Sequence, residues 1–387
     1  MKSRDTFLPY GKQWVDQVDI DEVVAVLQSD YLTTGTVIDQ FEQRMAQYVG
    51  AKYAVAFANG TAALHGACVA SGIKSGDEVI TSPLTFAASA NCVRYLDGKV
   101  IFSDIDHETY NLDPMLLEEK INHRTKAIIT VDYTGQPCDY DKITPISKKN
   151  NLVLIADAAH GLGASYKGKK VGSLADMTMF SFHPVKSMTT GEGGIITTDS
   201  KVYYEKLKDF RSHGITRDPS RLQHSDKPWY YEMHSLGFNY RLTDIQAALG
   251  ISQLSKLDSF IERRRQIAAK YTEALKSNPF IRTPYQLPNT SSSFHLYVIQ
   301  LQTDKLQANR TEIFKKLIAA NIGVNVHYIP VYYHPYYQQL GYKKGVCKQA
   351  EALYESILSL PIFPRMSDVD VADVIREVNR ITNEVSM

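Results

Sequence analysis

The sequence predicts an α/β protein of 387 residues, with a large N-terminal domain and a smaller α+β domain at its C-terminal end. Three observations support this prediction. From residue 53 onward, apolar runs of strand length alternate with helical patterns, which is typical of βαβ units and a largely parallel sheet. A long helical stretch then ends near residue 275, and the order of elements changes after it. The chain is long enough for one large α/β domain with a smaller companion.

The elements of the large domain follow from the spacing of apolar residues. Helical spacing predicts two helices before the sheet, at residues 18–27 and around residues 41–48. Apolar runs predict strands at residues 53–58, 77–82, 99–105, 126–133, 152–159, 177–182 and 193–199. A further helix is expected to begin near Lys201.

The region after residue 240 predicts a connector and a second domain. Residues 241–275 are helical with few interruptions, so we place the domains at residues 1–256 and 257–387, with the long helix as connector. The second domain is predicted to contain a strand at 294–301, a helix at 311–320, a strand at 323–329, a helix at 348–358 and a terminal helix from residue 369.

Charge and cysteine content exclude several classes of function. Lys plus Arg is 43 and Asp plus Glu is 42, a balance that argues against nucleic-acid binding and against a polybasic membrane-surface protein. No stretch reaches the roughly 20 apolar residues of a membrane span, and the N-terminus lacks a signal-peptide core. The cysteines are widely spaced and form no CxxC pair, which indicates reduced thiols in a cytoplasmic protein.

Candidate functional residues follow the predicted strands, where ligands of open α/β sheets bind. Gly60 and Thr61 open a helix after the first strand, and they form either an anion site or a simple helix cap. Phe86 either packs in the core or stacks on a planar ligand. Asp157 ends a buried strand, where a carboxylate needs a cationic partner such as a protonated pyridine, unless it caps a helix.

A lysine between two buried strand patterns is the most informative residue. Lys186 lies in a short loop, and a desolvated lysine amine has a lowered pKa and forms Schiff bases. Ser181, on the strand before it, is a candidate phosphate ligand. A phosphate cradle, a ring stacker, a carboxylate for a ring nitrogen and a Schiff-base lysine together meet the requirements of pyridoxal 5′-phosphate (PLP). The sequence therefore predicts a PLP site.

Longer motifs around these residues resemble the DegT/DnrJ/EryC1/StrS family of PLP-dependent nucleotide-sugar aminotransferases. The resemblance is carried by NGTAAL at 59–64, GDEVITSPLTFAASAN at 76–91, TKAIITVDYTGQPCD at 125–139, IADAAHGLGASYKGKKVGS at 155–173, FSFHPVKSMTTGEGG at 180–194 and GFNYRLTDIQAALG at 237–250. It implies fold type I, with a mixed, mostly parallel seven-stranded sheet between helices, and a homodimer whose active sites lie at the subunit interface.

The resemblance also implies roles for individual residues. Gly60, Thr61 and Ser181 would bind the cofactor phosphate, and Asn239 would reach the phosphate from the other subunit. From the residues alone, Asn239 looks like a helix cap.

The residues around the cofactor ring come from the same resemblance. Lys186 would form the Schiff base with the cofactor, Asp157 would hold the ring nitrogen and Phe86 would stack on the ring. His160 would lie near the ring and its hydroxyl. Relatives often have Trp or Tyr at the position of Phe86 and Gln at that of His160, and both replacements keep the required chemistry.

Within the family, the chain is most similar to the C4 aminotransferases of pseudaminic acid biosynthesis. This implies a UDP-linked 4-keto-6-deoxy-N-acetylhexosamine as acceptor and glutamate as donor. A UDP-4-keto-pentose of lipid A modification and a surface-polysaccharide sugar, including one of the spore coat, are the alternatives. A non-catalytic sensor is the alternative from another class. The late Tyr-rich segment, with His327 and Tyr328, is either a sugar and nucleobase site or a surface loop.

Overall fold

The computed structural model describes residues 4–224 and 227–387. Its helices are α1 (Gln17–Leu27), α2 (Thr36–Val49), α3 (Gly60–Ala70), α4 (Ala88–Arg94), α5 (Tyr140–Lys149), α6 (Lys201–Phe210), α7 (Asp244–Leu275), α8 (Arg310–Ala319), α9 (Pro335–Gln339), α10 (Lys348–Ser356) and α11 (Asp368–Glu384). Its strands are β1 (Tyr53–Phe57), β2 (Glu78–Thr81), β3 (Lys99–Phe102), β4 (Thr125–Val131), β5 (Val153–Asp157), β6 (Ser165–Tyr166), β7 (Lys169–Lys170), β8 (Met177–Ser181), β9 (Gly194–Thr198), β10 (Ile215–Thr216), β11 (Glu232–Met233), β12 (Ile281–Arg282), β13 (Thr290–Ser291), β14 (Tyr297–Leu301) and β15 (Ile357–Leu360).

The central sheet has seven strands in the order β1-β9-β8-β5-β4-β2-β3. Strand β9 is antiparallel to both of its neighbours, and the other pairs, from β8 to β3, are parallel. The predicted α/β class and the mixed, mostly parallel seven-stranded sheet are therefore confirmed. The strands read as continuous apolar runs because helices cover both faces of the sheet, so that residues of either parity are buried.

Alternate residues of each strand pack into different clusters. Val55 and Phe57 of β1 face the cluster that contains α3 and α4, whereas Ala54 and Ala56 face the cluster of α2 and α7. Ile155 of β5 likewise lies in the first cluster, and its neighbours on the strand face α5. This two-sided burial fixes the register of the sheet and holds the carboxyl ends of β5 and β8 side by side.

One of the smaller sheets has the order β12-β14-β15 and is antiparallel. It packs against the C-terminal half of α7 and against α8 and α11. The long helix α7 begins at Asp244, where Thr243 and Gln246 form a capping box. It runs without interruption across residue 256, so the predicted domain boundary falls inside a helix. The division of the chain into domains at this residue remains a prediction.

In the C-terminal region, one predicted helix forms but ends two residues early, and one predicted strand was wrong. The predicted helix 348–358 ends at Ser356, and Ile357 begins β15, because the run ILSL pairs with β14 over four residues and is buried on both faces. The predicted strand 323–329 does not form among the described residues. Asn325 makes a single bridge to Ser359, and the chain then turns toward the large sheet, where the N–H of Val331 donates to the carbonyl of Pro83.

Candidate active site

A cavity of about 930 Å³ opens at the carboxyl ends of the parallel strands. This is the edge where open α/β sheets bind their ligands. Of the candidate residues named from the sequence, those that line the cavity are Gly60, Thr61, Phe86, Asp157, His160, Ser181, Lys186, His327 and Tyr328. Asn239 does not line it, and its side chain is exposed in the single chain.

The amino end of α3 forms one wall of the cavity. The side chain of Asn59 caps this helix by accepting a hydrogen bond from the N–H of Ala62 at 2.8 Å. Gly60 and Thr61 are therefore first-turn residues rather than the cap itself, and first-turn N–H groups together with the helix dipole attract anions. A Cβ on Gly60 would lie 3.2 Å from the Cβ of Ser181, so the glycine allows the helix to begin tightly against β8.

The Asp157 carboxylate lies at the end of β5 and is 6% exposed. Its Oδ2 accepts a hydrogen bond from Ser89 at 2.5 Å, and its Oδ1 accepts one from the N–H of Ala159 at 3.1 Å. Burial raises the pKa of Asp157, while the Ser89 hydrogen bond and the charge of Lys186 act in the opposite direction. A buried carboxylate with these supports is suited to pair with a cationic ring nitrogen.

The Lys186 amine lies in the loop that follows β8, where the N–H of Lys186 donates to the carbonyl of His183 at 2.9 Å. The side chain is half-buried at the cavity wall. Burial lowers the pKa of Lys186 to about 8, and the negative charge of Asp157 opposes this shift. Near neutral pH a larger fraction of this amine is therefore uncharged than of an ordinary lysine, and the uncharged form can act as a nucleophile or a base.

The Phe86 ring is 63% exposed in the single chain and lines the cavity. This exposure excludes the alternative in which Phe86 packs in the core. Its ring centroid lies 6.4 Å from that of Tyr328. The ring thus leaves a face free for a planar ligand, as stacking would require.

Three buried histidines, His160, His295 and His327, form another wall of the cavity. The ring of His160 lies with its centroid 4.4 Å from that of His295, and its Nε2 lies 3.1 Å from the hydroxyl of Tyr328. His327 pairs through Nδ1 with the hydroxyl of Ser359 at 2.7 Å. Burial lowers the pKa of His327 to about 3 and the pKa values of His160 and His295 well below the ordinary value. These rings are therefore neutral partners for hydroxyl and carbonyl groups.

Among the residues of the cavity and its support that could not be named from the sequence are His295, Tyr10 and Ser89. His295 lies two residues before β14, and a polar residue within the apolar run predicted as a strand at 294–301 was the available signal. Tyr10 comes from the N-terminal segment and places its ring centroid 5.5 Å from that of His327. Ser89, which holds Asp157, had no sequence signal because a serine in a helical pattern is common.

The cavity fits PLP on three independent observations. The amino end of α3 at Gly60 can attract a phosphate, Asp157 is a buried acceptor for a ring nitrogen, and Lys186 is an amine of lowered pKa in the same cavity. In residues 4–224 and 227–387, no three His, Cys, Asp or Glu side chains gather as a metal site.

A family model matches residues 14–379, and it describes the DegT/DnrJ/EryC1/StrS aminotransferase family. The chain belongs to this family. DegT/DnrJ/EryC1/StrS aminotransferases depend on PLP, and this chain is a sugar aminotransferase of that family.

Relatives within the family have named roles. The chain is 42% identical over 98% of its length to the spore coat polysaccharide biosynthesis protein SpsC of Bacillus subtilis, of which it covers 98%. It is 40% identical over 93% of its length to the UDP-4-amino-4,6-dideoxy-N-acetyl-β-L-altrosamine transaminase of Campylobacter jejuni strain 81-176, of which it covers 93%.

Solved family structures share the fold over nearly the whole chain. Helicobacter pylori PseC, an aminotransferase involved in the biosynthesis of pseudaminic acid, matches with a TM-score of 0.91 at 33% identity, covering 98% of this chain and 100% of PseC. The PLP form of Spr1654 from Streptococcus pneumoniae matches with a TM-score of 0.91 at 30% identity, with the same coverage of both chains. In the part of the chain that the structure describes, no helix combines the length and apolarity needed to cross a membrane.

Proposed function

We propose that this family member transfers an amino group from glutamate to C4 of a UDP-linked 4-keto-6-deoxy-N-acetylhexosamine. The product would be UDP-4-amino-4,6-dideoxy-N-acetyl-β-L-altrosamine. The convergence of Lys186, Asp157 and Phe86 in one cavity beside the α3 terminus carries the aminotransferase chemistry. The choice of sugar is supported by the Campylobacter transaminase and by PseC, which are similar along nearly the whole chain.

The side chains of this protein divide the work of the reaction. When bound, PLP supplies an electron sink for the carbon that loses a proton. Gly60, Thr61 and Ser181 bind the phosphate and so fix the position of the ring. The Lys186 amine would take the proton from the α-carbon of the donor and pass it to the cofactor carbon that bears the transferred nitrogen. In the second half-reaction it would move a proton from that carbon to C4 of the sugar, and its pKa of about 8 suits both roles near neutral pH. Asp157 supplies the negative charge that keeps the ring nitrogen protonated.

The wall of neutral histidines is the proposed binding surface for the sugar. His327 and Tyr328 line the cavity, and the Tyr328 hydroxyl is held by His160 at 3.1 Å. Neutral imidazoles and a phenol can each donate and accept hydrogen bonds. These are the interactions that the uncharged hydroxyl, keto and acetamide groups of a sugar can make. The tyrosine and Phe86 rings add apolar contact for a sugar face.

Asn239 is proposed to complete the cofactor site of a second subunit. It is exposed, and the ten residues before it in the chain carry apolar side chains that the single chain leaves in solvent, namely Trp229, Tyr231, Met233, Leu236 and Phe238. Large apolar side chains left in solvent are typical of a protein interface. A homodimer that buries this segment is the proposed assembly.

Mixed dimers test the shared site. We expect Lys186→Ala and Asn239→Ala homodimers each to be impaired, because each defect is present at both sites. In a heterodimer, one site would combine the intact Lys186 of one subunit with the intact Asn239 of the other, so activity should return. The measurement is the specific activity of heterodimers isolated with two affinity tags. Absence of recovery in confirmed heterodimers would show that each subunit is self-contained.

Substrate preference tests the proposed sugar. The protein should prefer the UDP-linked 4-keto-6-deoxy-N-acetylhexosamine to the UDP-4-keto-pentose by at least about a hundredfold in kcat/KM. The pentose lacks the C6 methyl, whose burial is worth about 1 kcal/mol, and the acetamide, whose hydrogen-bond partners would be left unpaired. Equal or reversed preference would be compatible with PLP chemistry but would favour the UDP-4-keto-pentose as the substrate.

The relative SpsC favours a second candidate, a spore-coat or other surface-polysaccharide sugar. A panel of UDP-, GDP- and dTDP-linked keto sugars, with product stereochemistry determined, separates this candidate from the first. Amination of none of these sugars by cofactor-loaded protein would instead favour a non-catalytic sensor of the same fold.

A further inference from the structure

Two hydroxyl groups lie behind the Asp157 carboxylate, on the segment that also carries Phe86. Ser89 is fully buried and Thr85 nearly so. The Ser89 Oγ lies 2.5 Å from Asp157 Oδ2, and the Thr85 Oγ1 lies 2.7 Å from the Ser89 Oγ. Since Ser89 is in the first turn of α4 and Thr85 precedes that helix, one short segment supplies both hydroxyls and the exposed Phe86 ring.

The direction of these hydrogen bonds follows from the number of protons. An ionised carboxylate only accepts, so Ser89 must donate its single proton to Asp157. The Ser89 hydroxyl also lies 3.3 Å from the carbonyl of Phe86, but the shorter bond to a charged acceptor is the stronger one. The Ser89 oxygen then accepts from Thr85. Both O–H dipoles consequently point toward Asp157 and reinforce each other.

The carboxylate has two supports, and they act on different atoms. The N–H of Ala159 contacts Oδ1 and the hydroxyl of Ser89 contacts Oδ2, so together they fix the plane of the carboxyl group. Burial opposes ionisation of Asp157, and the Ser89 hydrogen bond favours it. Loss of Ser89 would therefore leave a buried carboxylate that is both less oriented and less readily ionised.

We propose that Ser89 is a positioning residue whose hydroxyl, supported by Thr85, keeps the Asp157 carboxylate ionised and in one orientation for the cofactor's ring nitrogen. The inference rests on the role of Asp157 given under Proposed function. Because Thr85 acts only through Ser89, its removal should have a smaller effect in the same direction.

Cofactor binding tests the proposal without reference to turnover. Apoprotein is titrated with PLP, and the visible absorbance of the bound cofactor is followed against pH. Ser89→Ala should raise the Kd for PLP about tenfold, the change expected for losing a hydrogen bond to a charged group. The pH at the midpoint of the absorbance change should move upward. The reason is that a cofactor ring whose nitrogen is less protonated withdraws less electron density from the Lys186 nitrogen. Ser89→Thr should keep both values, and Thr85→Val should shift them less.

A serine whose hydroxyl donates to a backbone carbonyl at the end of a different helix supplies the control. Ser71 caps the end of α3 through a hydrogen bond to the carbonyl of Ala67, outside the cavity, so Ser71→Ala should match the wild type. An unchanged Ser89→Ala protein, with Asp157→Asn altered in affinity and midpoint, would overturn the role of Ser89. A Ser89→Thr protein as impaired as Ser89→Ala would also overturn it. If Asp157→Asn also leaves the Kd for PLP and the pH midpoint unchanged, the proposed role of Asp157 is contradicted, and the role of Ser89 that rests on it is contradicted too.

Discussion

Replacement of Lys186 by alanine is expected to abolish amino transfer while the protein remains folded. A positioned general base contributes on the order of 10² to 10⁴ in rate, and this lysine also provides the covalent anchor for the cofactor. Alanine removes both functions. The loop that carries Lys186 lies at the cavity wall, so the substitution leaves the packed sheet below it intact. Turnover is measured with the keto-sugar acceptor and glutamate.

An exposed lysine provides the matched control for this experiment. Lys343 lies on the surface away from the cavity, so Lys343→Ala should retain wild-type turnover. Noncovalent PLP binding and an unchanged thermal unfolding temperature would show that the Lys186→Ala protein is folded. Partial recovery on addition of a small primary amine would indicate that the missing group is a proton carrier. Substantial turnover without added amine would contradict the role of Lys186.

Replacement of Asp157 by asparagine is expected to retain PLP but to reduce turnover by about 10²-fold or more, which corresponds to a few kcal/mol of transition-state stabilisation. Asparagine has nearly the same shape, and its amide oxygen still accepts one hydrogen bond from Ser89 or from the Ala159 N–H. What it lacks is the negative charge. The substitution therefore isolates electrostatic support of the ring nitrogen from packing.

Single-turnover measurements of both half-reactions check this expectation, because the same charge acts in each of them. The surface variant Asp304→Asn, in a 3-10 turn of the C-terminal region, should match the wild type. Near wild-type rates in Asp157→Asn would mean that another group keeps the ring nitrogen protonated.

The strands of the central sheet could be predicted because each is buried on both faces and reads as an apolar run. The same property explains why the predicted helix 348–358 ran two residues too far and the strand Ile357–Leu360 was not predicted, since this strand follows a helix directly and has no alternation to mark it. Its state was decided by its pairing with β14, more than fifty positions earlier in the chain. At residues 323–329 a strand was predicted that does not form. The residues alternate as in a strand, but the only bridge they make in the described part of the chain is that of Asn325 to Ser359.

The sequence by itself determined the class of the fold and most of the residues of the proposed cofactor site. The residues concerned lie at or just after the carboxyl ends of β1, β5 and β8, and these strands point the same way, so their carboxyl ends meet at one edge of the sheet. Gly60, Asp157, Ser181 and Lys186 could be named for that reason. The tertiary structure decided the contacts made by packing between distant segments: Ser89 on Asp157, His295 on His160 and Tyr10 on His327. Such contacts depend on how helices and loops pack against the sheet and against one another. They join residues far apart in the chain, so no local pattern of residues predicts them.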